Sequence, residues 1–163
     1  MSNHLKEREE KIHEILQRLD AESNKGTPII VEGRKDVETL KTLAIAGKII
    51  TAKSGKSLLD VISEVEKGRP KEVVLLLDYD RRGKELTRQL KHHLETAKIK
   101  PNTNIWYELF SIIGKEVKDI ESLDAYLETL RRKYQTRKRT ILSLERAHAR
   151  KARLAKTRET AKD

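Results

Sequence analysis

Leu5, Ile12, Ile15, Leu16 and Leu19 recur at helical spacing among charged residues, so residues 4–21 are predicted to form an amphipathic helix. The segment Ser23-Asn24-Lys25-Gly26-Thr27-Pro28 ends it. Pro28-Ile29-Ile30-Val31 is a short β-branched run, the pattern of a buried strand. Val37, Leu40, Leu43 and Ala44 return to helical spacing over 35–46, with Gly47 as the expected stop and Lys48–Thr51 as a second strand. Ser57 is placed to cap a helix carrying Leu58, Leu59, Ile62 and Val65, which Gly68-Arg69-Pro70 closes.

The run Glu72-Val73-Val74-Leu75-Leu76-Leu77 shows no alternation, as expected of a central strand covered on both faces. A helix is predicted from about Arg82 to Ala97 through Leu86, Leu90 and Leu94, and Asn104-Ile105-Trp106-Tyr107 reads as an edge strand after Pro101. This β-α-β-α-β-α rhythm predicts an α/β fold with a parallel sheet of about four strands between helices. Beyond Gly114 neither glycine nor proline occurs. Asp119–Leu130 is predicted helical, and Leu127, Leu130, Tyr134, Ile141 and Leu144 carry a stripe that fades into basic residues and alanines. The expected organisation is an N-terminal helix (1–26), an α/β domain (27–114), a closing helix (115–130) and a long basic helical tail (131–163).

Charge sharpens this division. Residues 131–163 hold 13 Lys and Arg against 3 Asp and Glu, which accounts for the whole net charge of +10 because residues 1–130 are balanced. A neutral domain with a concentrated basic tail suits a polyanion. Arg137, Lys138, Arg139, Arg146, Arg150, Lys151 and Arg153 are the candidate phosphate contacts there. Tyr134 is the tail's one aromatic, so little base stacking or sequence readout is expected from it. The same tail could instead be simply a solvated helix. With no cysteine, disulfides and thiolate chemistry are excluded. No apolar run reaches the roughly 20 residues that span a bilayer, and the chain is charged from its first residues, so a cytoplasmic protein without a membrane role is expected.

Two acidic clusters end predicted strands: Glu32 follows Ile29–Val31, and Asp78 and Asp80 follow Leu75–Leu77. Ligands of open parallel sheets lie beyond such strand ends. Residues two apart on a strand share a face, which would direct both aspartates one way and Tyr79 the other. Carboxylates without nearby histidine or cysteine suit a hard cation such as Mg2+. Strand-end acids also arise as solvated groups or as caps of the next helix. Gly33 after Glu32 would let the backbone turn and approach a ligand closely. Arg34, Lys35, Arg81 and Arg82 flank the acids and could clamp phosphate oxygens or stand in solvent. Ser54-Gly55-Lys56-Ser57 is not a P-loop, because Ile50 stands where that motif needs glycine. Lys56 at the start of the following helix could still meet a phosphate, or the segment is only a cap. His92 and His93 are adjacent on a helix, face different ways and do not make a shared metal site.

Ile30-Val31-Glu32-Gly33-Arg34-Lys35-Asp36 together with Leu76-Leu77-Asp78-Tyr79-Asp80-Arg81-Arg82-Gly83 resembles the Toprim signature of topoisomerases, primases and related nucleases. The resemblance covers about residues 27–110. It is closest to the small stand-alone Toprim proteins of archaea, and the bacterial maturation ribonuclease of small ribosomal RNA is similar in its motif spacing. The resemblance implies that Glu32 acts as general acid or base or helps hold the metal, and that Asp78 and Asp80 bind Mg2+. Topoisomerases need a tyrosine from another domain, and primases need further domains. No such domain is present in these residues. The expectation is therefore a Mg2+-dependent nuclease or phosphoryl-transfer protein acting on RNA rather than DNA, structured and ribosomal. The alternative is a non-catalytic, ribosome-associated RNA-binding protein built on the same scaffold. Asp119 and Glu121, in a segment that resembles the archaeal proteins, are either supporting acids or helix-start residues.

Overall fold

A computed structural model describes residues 2–53 and 55–161. Ser54 of the Ser-Gly-Lys-Ser segment, Met1, and Lys162 and Asp163 at the tail's end lie outside those residues. The elements are α1 (Ser2–Asn24), β1 (Ile29–Val31), α2 (Arg34–Thr42), β2 (Ile49–Thr51), α3 (Leu58–Lys67), β3 (Glu72–Leu75), α4 (Arg81–Thr96), β4 (Lys100–Asn102), α5 (Asn104–Ile113) and α6 (Leu123–Thr160).

The four strands form one parallel sheet in the order β2-β1-β3-β4. Register pairs Ile30 with Ile50 on one side and with Leu75 on the other. Because successive strand residues face opposite sides, β1 and β3 supply two cores at once. Ile29, Val31, Val74 and Leu76 pack with α1, α5 and the start of α6, while Ile30, Val73, Leu75 and Leu77 pack with α3 and α4. The unalternating runs are explained by helices covering both faces. From β1 the chain steps to β2 on one side and then crosses to β3 on the other, so the strand order reverses between β1 and β3. The crevice beyond the strand ends at such a reversal is where open α/β sheets bind ligands.

Three expectations need correction. Asn104–Tyr107 is the first turn of α5, not a strand, and β4 lies just before it at Lys100–Asn102. Ile105, Trp106, Leu109 and Ile113 share one buried helical face, a period that extends past the four residues read as a strand. Pro101 is tolerated within β4 because an edge strand need not donate on its outer side. Gly47 does not close α2. The helix ends at Thr42 with Leu43 as its C-cap, Ala44 at φ +67° and the Ile45 N–H bonded to the Leu40 carbonyl. Gly47 instead permits a close approach, since a Cβ there would lie 1.9 Å from Oγ of Ser23 on α1. The helix expected from Asp119 begins at Leu123, after a turn in which Asp119 Oδ1 accepts from the Ser122 N–H.

Leu123, Leu127 and Leu130 anchor α6 to the core, and from residue 135 onward every described residue of α6 is exposed. At 1.5 Å per residue the stretch from 131 to 160 extends about 45 Å. Among the described residues no helix is long and apolar enough to cross a membrane.

Candidate functional site

β1 and β3 end side by side, and their last extended residues deliver Glu32 and Asp78 to the same point. The Leu76 N–H bonds to the Ile30 carbonyl, so the pairing of β1 with β3 continues toward the two acids. Glu32 is 3% exposed and Asp78 half-buried. The Asp78 carboxyl feels the charge of Glu32, and Oε1 of Glu32 and Oδ1 of Asp78 are buried without a hydrogen-bond partner. Burial, then the charges of Glu32 and Asp36, raise Asp78 to about 7. An Ile120 backbone N–H opposes that rise.

Around this pair the chain supplies one cation and several fixed dipoles. Lys53, two residues past β2, places Nζ 2.6 Å from Oε2 of Glu32, and its backbone N–H bonds to the Glu32 carbonyl. Asp36 is buried in the first turn of α2, where Oδ2 accepts from the Gly33 N–H at 3.0 Å. Burial raises its carboxyl above the ordinary range, against the pull of the Gly33 N–H. The turn at 118–121 lies along the same edge. Its Lys118 carbonyl accepts from the Tyr79 N–H, and its Ile120 and Glu121 N–H groups reach Asp78 and Asp36. Asp119 holds that turn by accepting from the Ser122 N–H, and the charge of Glu121 adds to the rise of Asp36.

The sequence-derived residues separate here. Glu32 and Asp78 come together, and Asp80 does not join them: it is exposed and caps α4, with Oδ1 accepting from the Gly83 N–H at 2.7 Å. Tyr79 turns away as expected, into the core, where its hydroxyl donates to the Trp106 carbonyl. The chain bends at Glu32 and Gly33 as expected, but Gly33 itself adopts extended backbone (φ −141°, ψ 179°) open to any residue, so the bend does not require a glycine. A Cβ on Gly33 would meet nothing within 4 Å. Gly83 is the glycine that packing demands, because a Cβ there would lie 2.1 Å from the Asp78 carbonyl oxygen and 2.9 Å from Oε1 of Glu32.

Four cations line a cleft of about 460 Å3 beside the acids: Lys53, Lys56, Arg81 and Arg82, with Ala52, Leu58 and Leu86 as its apolar wall. Lys56 also pairs with Glu64 at 2.7 Å. Arg34 stands in solvent and leans on Glu38, and Lys35 is exposed. Arg137, Lys138, Arg139, Arg146, Arg150, Lys151 and Arg153 all lie on the exposed length of α6, far along the helix from its anchoring leucines.

Lys53 and Asp36 are missing from the sequence-derived set. Asp36 stands in the quoted motif, and its spacing from Glu32 was the available signal. Lys53 carried no local signal, because only the pairing of β1 with β2 sets it against Glu32. A small hard cation fits this donor set. Two buried oxygens lack donors, the ligands are carboxylates, and open space lies over Gly33. Among the described residues no three acids or histidines are gathered at metal-binding distance, so such an ion would take its remaining ligands from water or phosphate.

The Toprim domain family matches residues 27–108. A UPF0292 protein of Methanocaldococcus jannaschii is 40% identical over 119 residues, covering 72% of this chain and 91% of that protein. A UPF0292 protein of Methanosarcina barkeri is 39% identical over 128 residues, covering 78% and 88%. Among solved structures, a protein from Aquifex aeolicus superimposes with a TM-score of 0.58 at 27% identity, covering 68% of this chain and 95% of that one. The basic tail falls outside the matched domain.

Proposed function

This chain belongs to the Toprim domain family, and on that premise we propose that it is a cytoplasmic, Mg2+-dependent nuclease acting on structured RNA, ribosomal RNA foremost. The observation that carries the reading is the facing pair Glu32 and Asp78, with two orphaned buried oxygens, at the edge of a basic cleft. Glu32 and Asp78 would hold the ion, with Asp80 freed from its cap as a third ligand. Bound there, Mg2+ would neutralise charge developing on a phosphodiester.

The protein's own residues supply the remaining functions. Arg81, Arg82, Lys53 and Lys56 bind the phosphates on either side of the scissile one. Lys53 holds the Glu32 side chain in place through its 2.6 Å ion pair. Glu32 would move a proton as general acid or base, or help hold the ion. The exposed cations of α6 hold the RNA by its backbone, and their spacing along a helix of about 45 Å favours an extended or folded RNA over a short ligand. RNA over DNA rests on the resemblance to the maturation ribonuclease and on the tail.

A second reading, non-catalytic RNA binding at the ribosome, draws on Asp80, whose carboxylate is spent on capping α4. One experiment separates the two. The protein is cross-linked to cellular RNA, and the recovered RNA is incubated with wild type and Asp78→Asn in Mg2+. Cleavage by wild type alone supports the nuclease. Tail-dependent binding with identical, uncut RNA in both samples refutes it and leaves the binding protein.

A further inference from the structure

α4 separates two clefts. Arg81, Arg82, Glu85 and Gln89 face the basic cleft already described, whereas Lys84, Arg88 and Lys91 face a second one, of about 470 Å3, closed on its far side by α5. Its floor is aromatic: Trp106, Tyr107 and Phe110 come from successive turns of α5. Trp106 is buried and fixed by its Nε1–H bond to the Leu77 carbonyl, and the Tyr107 ring packs edge-on against it at 4.9 Å between centroids. Tyr107 itself is 57% exposed. Lys84 Nζ sits 4.9 Å from the centre of the Phe110 ring. Arg88 is engaged by Glu85, while Lys84 and Lys91 have no carboxylate partner among the described residues.

A rigid, half-exposed aromatic ring on a held backing ring, with cations along one wall and no acid in the lining, has the chemistry of a nucleobase site. The ring offers a face to any base, and the lysines take the phosphates that accompany it. The volume falls within the roughly 300–1,000 Å3 of small-ligand sites. Its location supports the same occupant. Lys84 of this groove and Arg81 of the basic cleft stand on the same helix, so a strand lying in the groove need only cross α4 to reach the cleft beside the acids.

We propose that the α4–α5 groove stacks an unpaired base on Tyr107 and holds its flanking phosphates on Lys84 and Lys91, so that the protein engages a single-stranded segment beside a structured one. This rests on the nucleic-acid reading above and adds to it a preference for a single-strand extension.

The test compares the full chain's affinity for a blunt RNA hairpin and for the same hairpin with a single-stranded oligo(U) extension, by fluorescence anisotropy in EDTA to prevent cleavage. In wild type the extension should strengthen binding about tenfold, the scale of one base–aromatic stack. Tyr107→Ala should abolish that gain and Tyr107→Phe should retain it, while the blunt hairpin binds all three alike. Lys91→Ala should reduce the gain without touching the blunt hairpin. If the extension adds nothing to wild type, or if Tyr107→Ala keeps the gain or Tyr107→Phe loses it, the groove is not a stacking site. If the blunt hairpin also fails to bind at all, the nucleic-acid reading falls together with it.

Discussion

Gly83 packs against Asp78 so tightly that a Cβ on it would sit 2.1 Å from the Asp78 carbonyl oxygen and 2.9 Å from Oε1 of Glu32. The first turn of α4 is thereby pressed onto the acid pair, which ties helix, strand end and both carboxylates into one rigid unit. Elsewhere in a helix, glycine to alanine would gain about 1 kcal/mol. Gly83→Ala should instead lose about 1–3 kcal/mol, because the neighbour on the other side is backbone. Urea unfolding measures this. Gly33→Ala is the contrast: its backbone is extended and nothing lies nearby, so stability should change by less than about 0.5 kcal/mol.

The acid pair should make metal-free stability fall with rising pH. Asp78 has a pKa of about 7 in the folded protein against an unfolded value of 3.8, so between those values the folded state holds a proton that the unfolded state has released. Stability from this group is therefore fully present below about pH 4 and is lost as pH rises to about 7. Asp36, also raised by burial, contributes in the same direction. Melting temperatures in EDTA from about pH 5 to about pH 8 should decline, and Asp78→Asn should flatten the decline.

Magnesium should reverse that trend. Binding must displace the proton that Asp78 holds below about pH 7, so stabilisation by added Mg2+ should grow through neutral pH and be small near pH 5. Asp78→Asn and Glu32→Gln should each remove it. Melting curves with Mg2+ and with EDTA, compared at matched ionic strength, measure the difference. A rise in melting temperature that persists in both variants would place the ion elsewhere.

Lys53→Met deletes the counter-charge 2.6 Å from Glu32 while keeping the length of the side chain. The lysine is half exposed, so the loss should be modest, on the order of 1 kcal/mol. It should be larger at pH 8 than at pH 5, because Asp78 is then ionised and adds a second negative charge beside the cation. Chemical denaturation at the two pH values tests it. An equal loss at both would mean that Lys53 serves Glu32 alone and does not respond to the charge of Asp78.

Removing residues 135–163 should leave the unfolding transition of the domain intact, because no residue described beyond 134 is buried. Circular dichroism should report the loss of helix in proportion to the residues removed. Binding to RNA should weaken by orders of magnitude at low salt, with a much shallower dependence on salt, because most phosphate contacts depart with the tail. An unchanged salt slope would assign the contacts to the basic cleft instead.

Much of the site was legible because its signals are local. The runs at 29–31 and 72–77 are apolar without alternation, and burial on both faces is the condition that permits this. Acids at their ends follow from that reading, and Glu32 and Asp78 meet as expected. Ser57 caps α3, accepting from the Asp60 N–H, just as its position before an apolar helical run indicated. Asn104–Tyr107 reads as a strand because a short β-branched and aromatic run looks like one until Leu109 and Ile113 reveal the helical period of Ile105 and Trp106. Asp80 was ambiguous from the outset. Two residues past Asp78 it fits a ligand by strand alternation and a cap by helix start, and the fold uses it as a cap.

The sequence by itself determined the α/β class, the two acids at strand ends and the segregation of positive charge into one terminal helix. Each of these is a property of residues near one another in the chain. Tertiary structure alone decided that β3 crosses over to the far side of β1, that Lys53 reaches Glu32 from the neighbouring strand, and that α5 brings aromatic rings beside the lysines of α4. Strand order and helix packing are set by matching apolar faces across tens of residues, and no local pattern of polarity records which faces will meet.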